Sequence, residues 1–475
     1  MQFSIAKPEE VGVSSAALSQ TLDYLAQRRV ALHSLLVMRH DALICEGYAA
    51  PFTKDTLHRM YSETKSLVSL AVGVMCAKGY LDLDDHIVDY FAEKLPLGGP
   101  SPELARLTIR DMLRMATPYN GTTYKRRPTK DWVGSFFTAR ADHEPGSFFC
   151  YDTSSSHTLC ALVEKRMGRP LLDVLRREAL DAIGFSEQSY CIRDPMGISQ
   201  GGSGLMATPR DMLALLRLVA QGGQWDGQQL LPQDYLQAAT AWQIYNAENS
   251  GIGGWDFTQG YGYQFWRLTH NAWSMYGMGG QLAICLPDQD MLLVTTADTQ
   301  PLAGGVQTIL DAFWNCLLPG VADAALPANP AAYAELTKKL STMQLPIVEN
   351  LAAPDTELCC ATVQMGLNAP GLTALQLQEN ALVLHYGGKT CTLPFRAGAL
   401  VQSHLWDDPA LPCVIAAGWR APDSLLLRVH LLGERLGSLS LQLKLRPGGA
   451  TLALCSHEEH PDPDFSGTAE GVTAV

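Results

Sequence analysis

Apolar residues at Leu67, Leu70, Ala71 and Val74 recur at the spacing of one helix face, so MYSETKSLVSLAVGV (Met60 to Val74) reads as a buried α-helix. Gly79 is placed to end it. The same period marks SAALSQTLDYLAQRR, capped by Ser14 or Ser15, and LTIRDMLRMA, SSHTLCALVEKRMG and TPRDMLALLRLVAQGG. Thr208 caps the last, and Pro209 fills its first helical position. HSLLVMRH and ALICEGY read as a hairpin turning at Arg39–Asp41. Strands return in YGYQFWRL, NAWSMYG, QLAICLP and MLLVTTAD, followed by a helix through GGVQTILDAFWNCLL. This order predicts one large α/β unit with a helical insert over residues 1–318.

Residues 319–345 are rich in proline and alanine and predict a linker with one short helix. The period then changes to two. SLSLQLKL (Ser438 to Leu445) alternates strictly, and TALQLQENALVLHY and SLLLRVHLL are similar. Residues 346–458 therefore read as a separate, mostly antiparallel β domain, and residues 459–475 as a loose tail.

Composition narrows the function. The chain has 475 residues, which suggests two or three domains, and 47% of them are apolar. Its net charge of −13, with no run of lysine or arginine, argues against nucleic acid or an anionic membrane as partner. MQFSIAKPEEVG lacks the pattern of a signal peptide, and no apolar run has the ~20 residues of a membrane span. A cytoplasmic protein is the expectation. The twelve cysteines are scattered without a Cys-x-x-Cys pair and read as reduced core thiols. Adjacent Cys359 and Cys360 suit neither zinc nor an easy disulfide, and no metal or cofactor is implied.

Ser-x-x-Lys occurs twice, at Ser4–Lys7 and Ser62–Lys65. Pro8 pushes Lys7 out of helical geometry. Ser62 and Lys65 instead lie one above the other where an apolar helix begins. A helix N-terminus favours developing negative charge, and the Ser62 N–H can hold an oxyanion. A desolvated lysine can take the serine proton. A surface serine beside a snorkelling lysine would show the same spacing.

The wider context decides between them. MYSETKSLVS, LTIRDMLRMA, EPGSFFCYDTSSSHTLCALVEKRMGRPL, GGSGLMATPRDM and YGYQFWRLTHNAWSMYGMGGQLAICLPDQDMLLVTT occur in the order of the serine β-lactamase superfamily of penicillin-recognising enzymes. Over about residues 8–318 the chain resembles its class C-like serine hydrolases and esterases. The resemblance implies a β-lactamase/transpeptidase-like fold of mixed α/β (α+β) class, an antiparallel sheet flanked by helices. It makes Ser62 the nucleophile, Lys65 its partner, and Tyr151 the phenol that relays the proton to the leaving group. The family's Tyr-x-Asn is here Tyr151-Asp152-Thr153, so Thr153 stands where the asparagine amide would bridge lysine and substrate. Its third motif, often Lys-Thr-Gly or His-x-Gly, matches Tyr276-Gly277-Met278-Gly279-Gly280, which carries no cation. Glycines there let substrate approach, and an N–H near Met278 would be a second oxyanion donor.

Other motifs fall away. Gly201-Gly202-Ser203-Gly204 is not a nucleophile elbow, and Gly387-Gly388-Lys389-Thr390 lacks the first glycine of a phosphate loop. His457-Glu458-Glu459-His460 lacks zinc-protease spacing. The expectation is a serine hydrolase that forms an acyl-enzyme on Ser62 with small neutral esters or amides. The alternatives are a silent binding protein on the same fold, and a β-lactamase or D-amino-acid peptidase. The C-terminal domain suits shaping the site, forming a homo-dimer, or stabilising alone.

Overall fold

The computed structural model describes residues 3–248, 254–355 and 362–473; Cys359 and Cys360 lie outside the described residues. The chain forms two compact units. One comprises Met1–Arg28, Leu32–Ala297 and Gly304–Met343, and the other Arg29–Ala31, Asp298–Ala303 and Gln344–Val475.

The first unit is built on a seven-stranded sheet. Its spatial order is Ser4–Ile5, Ala42–Tyr48, Ala31–Arg39, Met291–Asp298, Gln281–Leu286, Trp273–Gly277 and Trp266–Arg267. The hairpin turns at His40 and Asp41, both at positive φ, a conformation that asparagine, aspartate and histidine enter more readily than other side chains. The long sequence stretch YGYQFWRL contributes only Trp266–Arg267 as strand. Before it the chain makes isolated bridges through Tyr261, and Gln264 sits at φ 66°, which breaks the alternation a longer strand needs.

Helix Glu63–Ala77 is the hub of the core, buried from Glu63 through Met75. Helix Thr153–Met167 packs beside it. The Asp152 carboxylate accepts from Ser154 N–H at 2.8 Å to start that helix, and Gly168 ends it in the left-handed region at φ 64°. Helix Pro209–Ala220 is capped as its sequence suggests, with Thr208 accepting from Asp211 N–H. LTIRDMLRMA, by contrast, holds only the short helix Ile109–Leu113 before Met115 enters positive φ.

The linker expected at 319–345 is largely structured within the first unit. Its helix Pro330–Ser341 is capped by Asn329, buries Leu336, and ties Lys339 to Asp23 at 2.6 Å. It comes so close to the sheet that a Cβ on Gly47 would lie 2.6 Å from Leu340.

The second unit is one ten-stranded antiparallel sheet. Strand Gly437–Arg446 alternates as its sequence does, with Leu439, Leu441, Leu443 and Leu445 buried. The tail expected to be loose is a strand over Gly467–Thr473, inserted between Thr362–Met365 and Gly449–Glu458. Burial of Phe465 and Ala469, and the pairing of two strands that would otherwise expose edges, hold it there.

Candidate active site

The turn before the core helix sets the site. Tyr61 is held at φ 44°, uncommon for a bulky residue, while Met60 O accepts from Glu63 N–H and Tyr61 O from Thr64 N–H. This tight turn presents Ser62, half-buried, at the head of the helix. One turn on, Lys65 is 1% exposed. Its Nζ donates to Ser62 Oγ at 2.9 Å and to Gly202 O at 2.7 Å. A buried amine needs such acceptors, and one of them is the oxygen of the serine itself.

Tyr151 completes the group. Lys65 Nζ lies 5.0 Å from the centre of its ring, and its hydroxyl shares a hydrogen bond with Ser62. Burial, above all, pushes the phenol's pKa well above its usual value; the Ser62 bond offsets this in part, and nearby Tyr276 adds to it. Tyr151 is thus a neutral phenol at ordinary pH, suited to passing a proton on. It is backed by a packed aromatic wall, with Trp266 at 5.4 Å and Tyr261 at 6.5 Å.

Thr153 opens the following helix. Its N–H donates to Thr122 Oγ1 at 3.1 Å, and its methyl group faces the backbone of Gly202. A Cβ on Gly202 would lie 2.2 Å from that methyl and 3.5 Å from Lys65 Nζ, so only glycine fits between them. The Gly202 carbonyl therefore supplies an acceptor to Lys65 that sequence reasoning did not assign. The paired glycines of GGSG were the available signal.

The third-motif stretch is where strand Trp273–Gly277 ends and turns into Gln281–Leu286. Tyr276 is half-buried and packs on Phe257 at 4.7 Å; burial raises its phenol's pKa too. Gly277 abuts Met60 O. Gln281 Nε2 donates to Met278 O at 2.8 Å and Thr295 Oγ1 to Gly280 O at 2.9 Å, pinning the turn, while Gly279 and Gly280 occupy positive φ. The structure thus brings Ser62, Lys65, Tyr151, Thr153 and Gly277 to one place, with Tyr276 and residues 278–280 along its edge.

A further residue escaped sequence reasoning. Glu63, next to the nucleophile, is 1% exposed, and neither carboxyl oxygen has a hydrogen-bond partner among the described residues. Desolvation pushes its pKa well above the usual carboxylate value. Among the described residues no group of three or more His, Cys, Asp or Glu side chains could hold a metal, and no helix is long and apolar enough to cross a membrane.

Residues 20–311 match the family model described as Beta-lactamase, and the chain belongs to that family. It is 23% identical over 256 residues to the 6-aminohexanoate-dimer hydrolase of Paenarthrobacter ureafaciens, a match covering 50% of this chain and 64% of that protein. It is 26% identical over 220 residues to Esterase EstB of Burkholderia gladioli, covering 40% and 55%. The matches thus span less than two thirds of these relatives. Among solved structures it is similar to EstCE1, a hydrolase with promiscuous acyltransferase activity, with a TM-score of 0.51, 17% identity, and coverage of 63% of this chain and 99% of that one. It is also similar to the octameric penicillin-binding protein homologue from Pyrococcus abyssi, with a TM-score of 0.50, 15% identity, and coverage of 96% and 99%. The β-lactamase/transpeptidase-like fold, with an all-β C-terminal part, is the fold of this protein.

Proposed function

We propose that this protein is a serine hydrolase working through an acyl-enzyme on Ser62, acting on small neutral esters or amides. The observation that carries the proposal is the 2.9 Å contact between Lys65 Nζ and Ser62 Oγ, inside a core that leaves the lysine no water. Lys65 takes the proton as Ser62 attacks, and Tyr151 passes a proton to the leaving group. The Ser62 N–H at the helix head and the N–H of Met278 hold the oxyanion through formation and hydrolysis of the ester. Gly202 O keeps Lys65 aimed, the work an asparagine amide at the Thr153 position would share.

The names of the relatives, an esterase and a 6-aminohexanoate-dimer hydrolase, support a hydrolase reading. Treatment with a fluorophosphonate probe should label the protein once, and Ser62→Ala should abolish both labelling and ester turnover while the fold persists. A protein that neither labels nor turns over any ester or amide would be the silent binding protein instead.

A further inference from the structure

Lys65 owes one of its two acceptors, Gly202 O, to the loop 192–204 that joins the paired strands Tyr190–Cys191 and Leu205–Ala207. That loop lies along one face of the helix Thr153–Met167, where Thr153, His157, Cys160 and Glu164 recur at helical spacing. The Thr153 methyl meets Gly202, and a Cβ on Gly201 would lie 2.2 Å from Cys160 Cβ. Cys160 Sγ donates to Ser199 O at 3.4 Å, and Glu164 accepts from Ser199 N–H at 3.4 Å.

His157 makes the link that neither packing nor the loop itself requires. Its Nε2 lies 3.0 Å from Asp194 Oδ2, with the two side chains 1% and 0% exposed. The other oxygen of Asp194 accepts from the N–H groups of Met196 at 2.8 Å and Ile198 at 2.9 Å. Burial opposes charge on Asp194, but the His157 bond and the Ile198 N–H hold its carboxyl below the usual value, so Nε2 carries the proton and donates. The turn at 194–198 thus has its own bonds, and the bond to His157 adds its attachment to the helix. From there the loop is closed on itself, with Gln200 N–H on Ile192 O and Ile192 N–H on Gly204 O, each at 2.8 Å. An anchor at Asp194 therefore fixes where Gly202 O lies. His157 Nδ1 has no hydrogen-bond partner among the described residues, and the ring rests 5.3 Å from that of Trp132. A buried charged link of this kind adds little net stability but does fix geometry.

We propose that His157 is a positioning residue of the reaction: through Asp194 it holds the loop so that Gly202 O keeps Lys65 Nζ aimed at Ser62. The proposal rests on the hydrolase reading above and extends its machinery to a side chain that touches neither Ser62 nor Lys65. Loss of the link lets Gly202 O drift from Nζ. That slows proton transfer from Ser62 and leaves substrate binding as it was.

The test is single-turnover acylation by p-nitrophenyl butyrate. His157→Phe keeps a ring against Trp132 but cannot donate, and should lower the maximal acylation rate by about tenfold or more, with half-saturation unchanged. His157→Gln, which can still donate to Asp194, should recover most of the loss. The double variant His157→Phe/Asp194→Asn removes the carboxylate that His157→Phe strands, so it folds where the single variant does not, and it should be as slow. In a Lys65→Ala background His157→Phe should cost little more, because no amine remains to be aimed. A normal rate in the folded double variant overturns the proposal. So does a loss confined to half-saturation, a glutamine variant as slow as the phenylalanine one, or an equal loss with and without Lys65. A parent protein whose Ser62 does not label overturns the hydrolase reading and this role with it, whereas those four results in a protein that labels overturn the role of His157 alone.

Discussion

Gly277 faces the Met60 carbonyl so closely that a Cβ would lie 2.1 Å from its oxygen, which joins the end of the third-motif strand to the turn that carries the nucleophile. No rotamer relieves a clash with backbone, so strand or turn must move. Gly277→Ala should therefore shift Ser62 relative to the Met278 N–H and cost about a hundredfold or more in kcat, the price of a misplacement of roughly 1 Å. Near-normal kcat in a folded variant would show that the contact does not set the site.

Lys65 and Tyr151 flank one oxygen, Ser62 Oγ. Lys65→Ala and Tyr151→Phe should each lower kcat/KM by about a hundredfold or more, and the double variant should be little worse than either single one, because groups that move one proton together do not add. Fully additive losses, read from single-turnover acylation, would separate their roles.

The contrast between these pairs explains what the sequence could reveal. Ser62 and Lys65 are three apart on one helix, and helix geometry alone brings them together. The leucine alternation of Ser438–Leu445 likewise announces its strand, since period two needs no partner to be seen. Gly202 meets Lys65 across 137 residues, and Gly277 meets Met60 through a tertiary approach that no local pattern encodes. The same limit hid the strand Gly467–Thr473, whose place is set by two partner strands rather than by its own polar, glycine-containing run. The helix at Pro330–Ser341 was visible, but its docking on the Gly47 strand was not.

That docking has a consequence for truncation. A fragment ending at Leu318 loses Leu336, Leu340 and the Lys339–Asp23 pair, and exposes the sheet beneath them. A fragment ending at Met343 keeps them. The longer fragment should be soluble and cooperatively folded by circular dichroism. The shorter one should melt several degrees lower or aggregate. Equal melting of the two would make the helix dispensable.

Glu63 ties stability to pH. Its carboxyl is held protonated in the fold by burial, whereas in the unfolded chain it titrates near about 4.3. Above that pH the unfolded state binds fewer protons than the native state, so stability falls as pH rises toward the raised native value. Glu63→Gln, which cannot ionise, should be more stable than the parent by a margin smallest near pH ~4 and widening as pH increases. Asp152 and Asp298, both raised to about 6 by burial, drift in the same direction in both proteins and cancel in the comparison. Urea unfolding across this range measures the margin, and one that stays constant with pH would mean that Glu63 is not the group responsible.

Substrate class follows from what surrounds the third-motif stretch. Penicillins carry a carboxylate next to the scissile bond, and residues 276–280 offer tyrosine, methionine and glycine to receive it. The two nearest basic side chains in sequence are engaged elsewhere. Arg267 donates to Thr240 O at 3.1 Å and to Asn271 Oδ1 at 2.8 Å, and the His270 ring packs 4.8 Å from that of Trp314. A carboxylate desolvated there without a partner costs several kcal/mol, which is orders of magnitude in kcat/KM. p-Nitrophenyl butyrate should therefore be hydrolysed far faster than nitrocefin at equal concentration, and Arg267→Gln should leave that ratio unchanged. Faster turnover of nitrocefin would mean that a cation reaches the reacting bond after all, and a ratio that moves in the Arg267 variant would identify it.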